Sequence, residues 1–529
     1  MIAGSDKFDW TSLPAQDVIV VGAGAVGIVC ALDLARRGLK VLLLEAGPAF
    51  IDAESQKLFN SARATGRPHT GLHIGRFRVL GGTTNFWGGQ LVRFDSLIFK
   101  ERPWVASGGA WPLTLQELEP YYTKVEDLLA VPAAVRRDED VFRLAGIPEA
   151  RKDDDLTYFL TRWLGEKNFR IRFDTDLKST PGLTVITEAP VVALGVQGET
   201  VRTVRVALKD GTTRDLSAGR VILAQGTIEI ARLLLHPLAD GKAAPWSGNP
   251  WLGCGFADHL EGTIASVKPR NRATFRRLFE NVVVKGMKLQ PRLRVSERLQ
   301  WDEQLLNFAL HFRFDTQENF ENAKIFFSGL LRGRFNAPKG QLVRQLVSAV
   351  KVGVPMALHY LVNRRIFSPA SATITLRVML EQRQMRQSRV TLSEEKDALG
   401  MQLVNLDWVV SGMEEIRTVQ AAARLAKQYL ESRDIADVQI VPGAAEGKVE
   451  FLKDFTDTYH QMGVARMGRT PADGVVDESC RVHGTRNLFV AGAAVFPACG
   501  FANPTLTAMA MTLRLCEHVA GGSAMKGAA

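Results

Sequence analysis

Long apolar runs are missing from this 529-residue chain, and no uninterrupted stretch reaches the ~20 residues that span a bilayer. The opening residues, Met1 to Trp10, lack a basic stretch followed by an apolar core. No secretory signal is therefore visible, and cytoplasmic residence is expected. Cysteine is scarce: the five (Cys30, Cys254, Cys480, Cys499 and Cys516) are odd in number and show no C-x-x-C spacing. That fits reduced thiols and argues against structural zinc. His69 and His73 stand at i, i+4, but Thr70 and Gly71 between them indicate a loop, and no acidic ligand is near in sequence, so no metal site is expected. Low-complexity tracts and internal repeats are absent. The net charge of +10 is modest for this length, and with no zinc-finger or RNP-like motif it does not point to nucleic acid.

Against those absences, hydrophobic content of 46% and charged content of 23% are those of an ordinary globular protein. The length calls for two large domains. The most informative stretch is residues 17–47. Val18 to Val21 read as a buried strand, and Gly22, Gly24 and Gly27 form a G-x-G-x-x-G turn. Residues 28–37 read as a helix stopped by Gly38, and a second strand, 41–44, ends at Glu45, Ala46 and Gly47. Glycines at those places allow a tight turn and close approach of a pyrophosphate. The helix N-terminus offers it free N–H donors, with Ala25 among the expected contacts, and Glu45 can take ribose hydroxyls. Strand, turn, helix, strand and terminal acid in register mark a dinucleotide site.

Farther along, Gly81, Gly82, Gly88 and Gly89 lie in a loop-rich stretch, and residues 111–173 read as helical, for example 115–129. Strand patterns return at 185–186, 191–194, 201–208 and 220–224, and Gly226 leads into a helix at 227–235. The middle carries long strands, 372–380 and 389–392, beside basic helices; the end returns to glycine-rich loops and a helix at 505–519. The fold class expected is α/β (α+β overall): a Rossmann-like nucleotide-binding domain with an inserted substrate domain built on an antiparallel sheet with helices. Its boundaries are a discontinuous nucleotide domain at 10–105, 183–267 and 450–529, a helical excursion at 106–182, and a substrate domain at 268–449. Residues 325–370 form a basic helical insertion without one acidic residue, carrying Arg332, Arg334, Lys339, Arg344, Lys351, Arg364 and Arg365. Leu342, Leu346, Ala349, Val350 and Gly353 recur there at helical spacing. A solvated insertion and peripheral docking to an anionic surface or a small-subunit partner are both compatible with this pattern.

Alone, His460 would read as a structural histidine, and Asn503 before Pro504 and Thr505 as a helix cap. They do not stand alone. Together with the fingerprint, with residues 78–89 (Arg-Val-Leu-Gly-Gly-Thr-Thr-Asn-Phe-Trp-Gly-Gly), with 222–235 and with 475–484 running on to Asn503-Pro-Thr-Leu-Thr, the chain resembles the glucose–methanol–choline (GMC) family of flavin oxidoreductases nearly end to end.

The resemblance implies FAD rather than NAD, and implies that His460 and Asn503 are the catalytic pair. It implies that Gly81, Gly82, Thr83, Asn85 and Gly88 line the flavin, and that Val192 presents backbone groups to the adenine. Gly226, Gly492 and Ala493, with Pro504 and Thr505, complete the implied cofactor contacts. The chemistry suits these residue types. Oxidising an alcohol removes a hydroxyl proton and a hydride from the adjacent carbon; histidine is a base that titrates near neutrality, while an asparagine amide holds the oxygen without taking the proton. Hydride would pass to flavin N5. In the family's covalently flavinylated branch a histidine precedes the Trp of the Gly-Gly segment. Here Phe86 precedes Trp87, so non-covalent FAD is expected. The sugar-oxidising branches look most similar, implying oxidation of a CH–OH group of a sugar, glycoside or other polyol-like substrate, with oxygen, a quinone or a redox protein as acceptor. The competing readings are a flavin-containing lyase of the same fold, similar to hydroxynitrile lyases, and a dehydrogenase subunit for non-sugar alcohols.

Overall fold

The computed structural model describes residues 1–529 apart from 61, 106–109, 316–321, 323–324, 327–338, 351–353, 367–371 and 525–529. Two eight-stranded sheets organise it. The first is centred on Gln16–Val21, whose residues Val18 to Val21 are all buried. Parallel neighbours flank that strand: Val41–Leu44 on one side, followed by Leu183–Thr187 and Ile2–Gly4, and Thr213–Leu223 on the other. The first half of Thr213–Leu223 pairs antiparallel with Thr200–Ala207, which pairs with Val191–Gln197. Its second half joins the parallel core beside Leu488–Val490.

Continuous apolar runs suit strands covered on both faces. One cover is the Ala25–Arg36 helix, which buries Ile28, Val29, Leu32 and Leu34, ends near Gly38 at φ 88°, and packs against the C-terminal helix Pro504–Ala524. Chain segments hundreds of residues apart thus build one layer with a parallel core.

The second sheet is antiparallel, in the order Ala436–Ile440, Leu260–Pro269, Thr373–Leu380, Phe308–Asp315, Met287–Val295, Leu156–Trp163 and Gln90–Leu91, with Val282–Val284 beside Met287–Val295. The helix Met413–Ser432 covers one face with Ile416, Val419, Ala422, Leu425 and Leu430. Alternation along the strands sends Glu261, Arg292 and Arg377 to the other side, where they face a cavity between the two sheets.

The chain differs here from the sequence reading in two respects. Residues 111–173 are not helical throughout: the helix Leu115–Leu128 forms as expected, but Leu156–Trp163 is a strand, registered from Leu156↔Val295 to Trp163↔Lys288. Its β-branched and aromatic residues favour a pleated surface. Moreover, the second sheet draws Gln90–Leu91, Leu156–Trp163 and most of Leu260–Pro269 from outside 268–449. Arg389–Lys396 instead joins Gln402–Asp407 and Arg63–Ala64 in a separate three-stranded sheet.

Of the basic segment, Arg332, Arg334, Lys351 and Gly353 lie outside the described residues. Arg365 is buried and donates to the carbonyls of Glu280 and Ala145, so it is not part of any charged surface. The helix Lys339–Ser348 turns Gln345, Ser348 and the following Ala349 inward, and leaves Val343, Leu346, Val347 and Val350 exposed.

Candidate functional site

The cavity between the sheets has a volume of about 750 Å³. At one end the Gln16–Val21 strand turns through Gly22, at φ 97°, into the Ala25–Arg36 helix. The three glycines have different surroundings. A Cβ on Gly27 would lie 1.8 Å from the Gly22 carbonyl oxygen, so Gly27 is required by the turn itself. A Cβ on Gly24 would meet nothing within 4 Å, and Gly24 lines the cavity beside Ala25. No side chain caps the helix at Gly24, so its first N–H groups open toward the cavity.

Glu45 and Ala46 line the same end. Glu45 Oε2 accepts from the Ala23 N–H at 2.9 Å and Oε1 from the Gly47 N–H at 2.8 Å. The carboxylate therefore also ties the glycine turn to the second strand, with lone pairs left for a donor such as a ribose hydroxyl. Burial, partly offset by the Gly47 and Ala23 N–H groups and by Arg78, pushes it up to about 7. Hydroxyl donors from a bound nucleotide would favour the ionised form.

Gly82, Thr83 and Gly88 line the cavity from the glycine-rich segment, and a Cβ on Gly82 would press to 2.9 Å from the Gly24 Cα. Gly226, Gly492 and Ala493 also line it, with Pro504 and Thr505 at the start of the last helix. Four residues expected to line it do not. Besides Gly27, Gly81 is a turn residue at φ 94° whose N–H donates to Ala23. Asn85 pins that turn, donating to the carbonyls of Leu80 and Gly82 and accepting from Asn168. The side chain of Val192 is buried and does not line the cavity, where Ala189, Pro190 and Val191 do; a register shift between Val191 and Ala193 interrupts the strand alternation at this point.

At the far end His460 and Asn503 meet. Asn503 Nδ2 lies 2.9 Å from His460 Nε2, although 43 residues separate the two in sequence. Gln90, its amide oriented by its hydrogen-bond partners, donates to Asn503 Oδ1 at 3.1 Å and accepts from Trp163 Nε1 and Arg292 Nη2, both at 3.2 Å. This contact aims the Asn503 amino group at His460, and nothing in the local sequence around Gln90 signalled it. The loop carrying Asn503 is anchored by a buried ion pair. Arg102 Nη1 and Nη2 each lie 2.7 Å from a Glu381 oxygen, and Glu381 Oε1 accepts from the Gly500 N–H at 3.1 Å. His460 follows Tyr459, whose positive φ of 64° is strained for a non-glycine residue. Burial holds His460 below its ordinary value, against the opposing pull of Asp258 and Glu261.

His69 and His73 do not converge. His69 instead meets Asp258 and Asp457 behind His460, and among the described residues this trio is the one group with metal-ligand spacing. Its carboxylates are already engaged: Asp258 Oδ1 accepts from Thr458, and Asp457 accepts from the N–H groups of Thr70 and Gly71.

Residues 384–512 match the family described as GMC oxidoreductase, and residues 17–86 that described as FAD dependent oxidoreductase. The fructose dehydrogenase large subunit of Gluconobacter japonicus is 23% identical, over 96% of this chain and 98% of that protein. These matches support membership of the GMC oxidoreductase family. This GMC protein is thus an FAD-dependent oxidoreductase acting on CH–OH donors. Paromamine 6'-oxidase of Streptomyces fradiae is 36% identical over 22% of this chain and 23% of its own length. Pyridoxine 4-oxidase from Mesorbium loti shares the fold, with a TM-score of 0.56 and 17% identity over 95% of the GMC chain and 99% of its own. The residues present fit FAD: an uncapped helix N-terminus and open space at Gly24 at one end of the cavity, an acid for ribose beside them, and the His460–Asn503 pair at the other end.

Proposed function

We propose that this GMC oxidoreductase oxidises a CH–OH group of a sugar, glycoside or other polyol-like substrate to a carbonyl, with His460 as base and Asn503 holding the substrate oxygen. The observation that carries the reading is the 2.9 Å approach of Asn503 Nδ2 to His460 Nε2, within a cavity that also contains the helix N-terminus of the glycine turn. Bound FAD supplies the acceptor for the two electrons and the hydrogen that leave carbon. The protein's residues do the rest. A substrate hydroxyl inserted between the pair donates to Nε2 and accepts from Nδ2. His460, kept neutral at pH 7 by burial, takes the hydroxyl proton at Nε2. Asn503, aimed by Gln90, orients the oxygen and stabilises its developing charge without titrating.

The relatives named after fructose and paromamine support a polyhydroxylated substrate. So does the polar wall of Glu261, Arg292 and Arg377 in the same cavity. Phe86, which lines the cavity, supports non-covalent FAD. The test is a screen of sugars, glycosides and simple alcohols for anaerobic bleaching of the flavin, followed by reoxidation with air or a quinone. Bleaching by polyols supports the reading. A lyase would leave the flavin oxidised, and bleaching by simple alcohols alone would move the substrate class away from sugars.

A second reading concerns the segment 325–370. A helix in water normally buries its apolar side, yet here Val343 and Val350 are both 59% exposed while Gln345 and Ser348 are each 3% exposed. With no acidic residue from 325 to 370, that face suits peripheral contact with an anionic lipid surface. No helix among the described residues is long and apolar enough to cross a membrane. Co-sedimentation with phosphatidylglycerol vesicles but not with phosphatidylcholine supports this contact; failure to bind either refutes it.

A further inference from the structure

Behind His460 lies a buried hydrogen-bonded chain that the proposed reaction has not yet used. We infer that Thr458 and Asp258 are positioning residues that fix the proton of His460 on Nδ1 and so leave Nε2 free to act as base. This inference rests on the reading of His460 as the base.

Donor counting carries it. Asp258 is fully buried, and an ionised carboxylate only accepts. Its Oδ1 lies 3.0 Å from Thr458 Oγ1 and 3.2 Å from the Thr458 N–H. A threonine hydroxyl has one proton, and here it is spent on Asp258. Thr458 Oγ1 can then only accept from His460 Nδ1, 2.8 Å away, so Nδ1 carries the hydrogen. Nε2 is left with its lone pair, which accepts from Asn503 Nδ2. The opposite tautomer fails at both nitrogens: Nε2–H would oppose the Asn503 amino group, and bare Nδ1 would face a hydroxyl oxygen whose proton is committed.

The surroundings hold this arrangement. His259 Nδ1 lies 3.0 Å from His460 Nδ1, and with the His460 proton on Nδ1 the His259 nitrogen is the acceptor of the pair. Burial and the neighbouring His460 push His259 down to about 3, so it is neutral and has a lone pair to offer. Asp258 Oδ2 is braced by His69 Nε2 at 3.1 Å, and Asp457 in turn lies 3.8 Å from His69 Nδ1. Burial alone would raise Asp258, but the His69 hydrogen bond and the nearby His69, His460 and His259 hold it below its ordinary value. The charged and titratable groups acting on His460 are Asp258, Glu261 and Asp457, which raise it, and Arg292, which lowers it, with His259 alongside.

In the reaction the substrate O–H bond breaks and an Nε2–H bond forms. The Nδ1 proton stays in place, and no proton runs along the chain. Asp258 is the buried anion that stabilises the resulting imidazolium through the Thr458 hydroxyl.

The test uses holoenzyme variants Thr458→Val, Thr458→Ser and Asp258→Asn, with flavin content checked by absorbance and anaerobic flavin reduction followed against pH. Thr458→Val should slow reduction roughly 10- to 100-fold at unchanged flavin content and little-changed KM, and Thr458→Ser should restore it to within about 3-fold. Asp258→Asn keeps an acceptor for Thr458 but removes the charge, so the acid limb of the pH profile should move to lower pH. Wild-type reduction in Thr458→Val, or a serine variant as slow as the valine one, overturns the relay. If Asp258→Asn does not fold, the threonine pair decides. His460→Ala separates the two levels: slow reduction there with a normal Thr458→Val removes only the relay, whereas fast reduction in His460→Ala removes the base itself.

Discussion

Gly24 and Gly27 belong to one turn, yet the structure assigns them opposite sensitivities. Gly24 has φ −78° and ψ −169°, which any residue adopts, and a Cβ there meets nothing within 4 Å. Valine at Gly24 is a poorer helix cap than glycine by up to about 1 kcal/mol, but restricting the unfolded chain returns about 0.4–1 kcal/mol. The apoprotein should therefore melt within a degree or two of wild type. The added methyl groups occupy the open space at the helix N-terminus proposed to receive the pyrophosphate of FAD. Overpacking of that kind costs about 1–3 kcal/mol, or roughly 5- to 150-fold in FAD affinity. Gly27→Ala differs in kind. Its Cβ would stand 1.8 Å from the Gly22 carbonyl oxygen, a backbone atom that yields only if the turn moves. That variant should lose about 3 kcal/mol or more of apoprotein stability. Calorimetry of the apoproteins and FAD titration followed by protein fluorescence measure both effects. A Gly24→Val protein that binds FAD as wild type does, or a Gly27→Ala apoprotein that melts normally, would refute the division of labour.

Acid precipitation of the holoenzyme should release the yellow flavin to the supernatant, because Phe86 stands where a histidine would attach it; a yellow pellet contradicts this. His259, pushed down to about 3, stays neutral in the folded protein while the unfolded chain takes a proton below about 6.5. The unfolded state then binds more protons, so this residue's contribution to stability is full above that pH and falls by roughly 1.4 kcal/mol per pH unit below it. Glu45, raised to about 7, acts in the opposite sense between its unfolded and folded values in the apoprotein. Comparing urea unfolding of wild type and His259→Gln from pH 7 to pH 5 isolates the histidine: the variant should lose less stability on acidification, and parallel losses would contradict the assignment.

The nucleotide end was legible in the sequence because its determinants are local. An apolar run, three spaced glycines and an acid at the end of the next strand fall within thirty residues of one another, and each has one structural solution. The cavity edge at Val191 was less accessible: Val191 and Val192 are equally apolar, and a register shift between Val191 and Ala193 breaks the alternation just where Val191 lines the cavity. Leu156–Trp163 was read as helix because a short apolar stretch carries no decisive period, and its partner Met287–Val295 lies more than a hundred residues away. At the reacting end, His460 and Asn503 stood out only through the order of motifs around them. The groups that orient them did not, because Gln90, His69, Asp258 and Glu381 all lie far in sequence from His460 and Asn503, and only the folded chain brings them together.

Everything proposed for the reacting end depends on His460 acting as the base of an alcohol oxidation. Stopped-flow reduction of the His460→Ala holoenzyme by a substrate that bleaches the wild-type flavin tests it most directly. With His460 as base, the variant should keep full flavin occupancy while reduction slows by about 10²- to 10⁴-fold, the usual contribution of a general base. Reduction near the wild-type rate, with flavin bound, would contradict it.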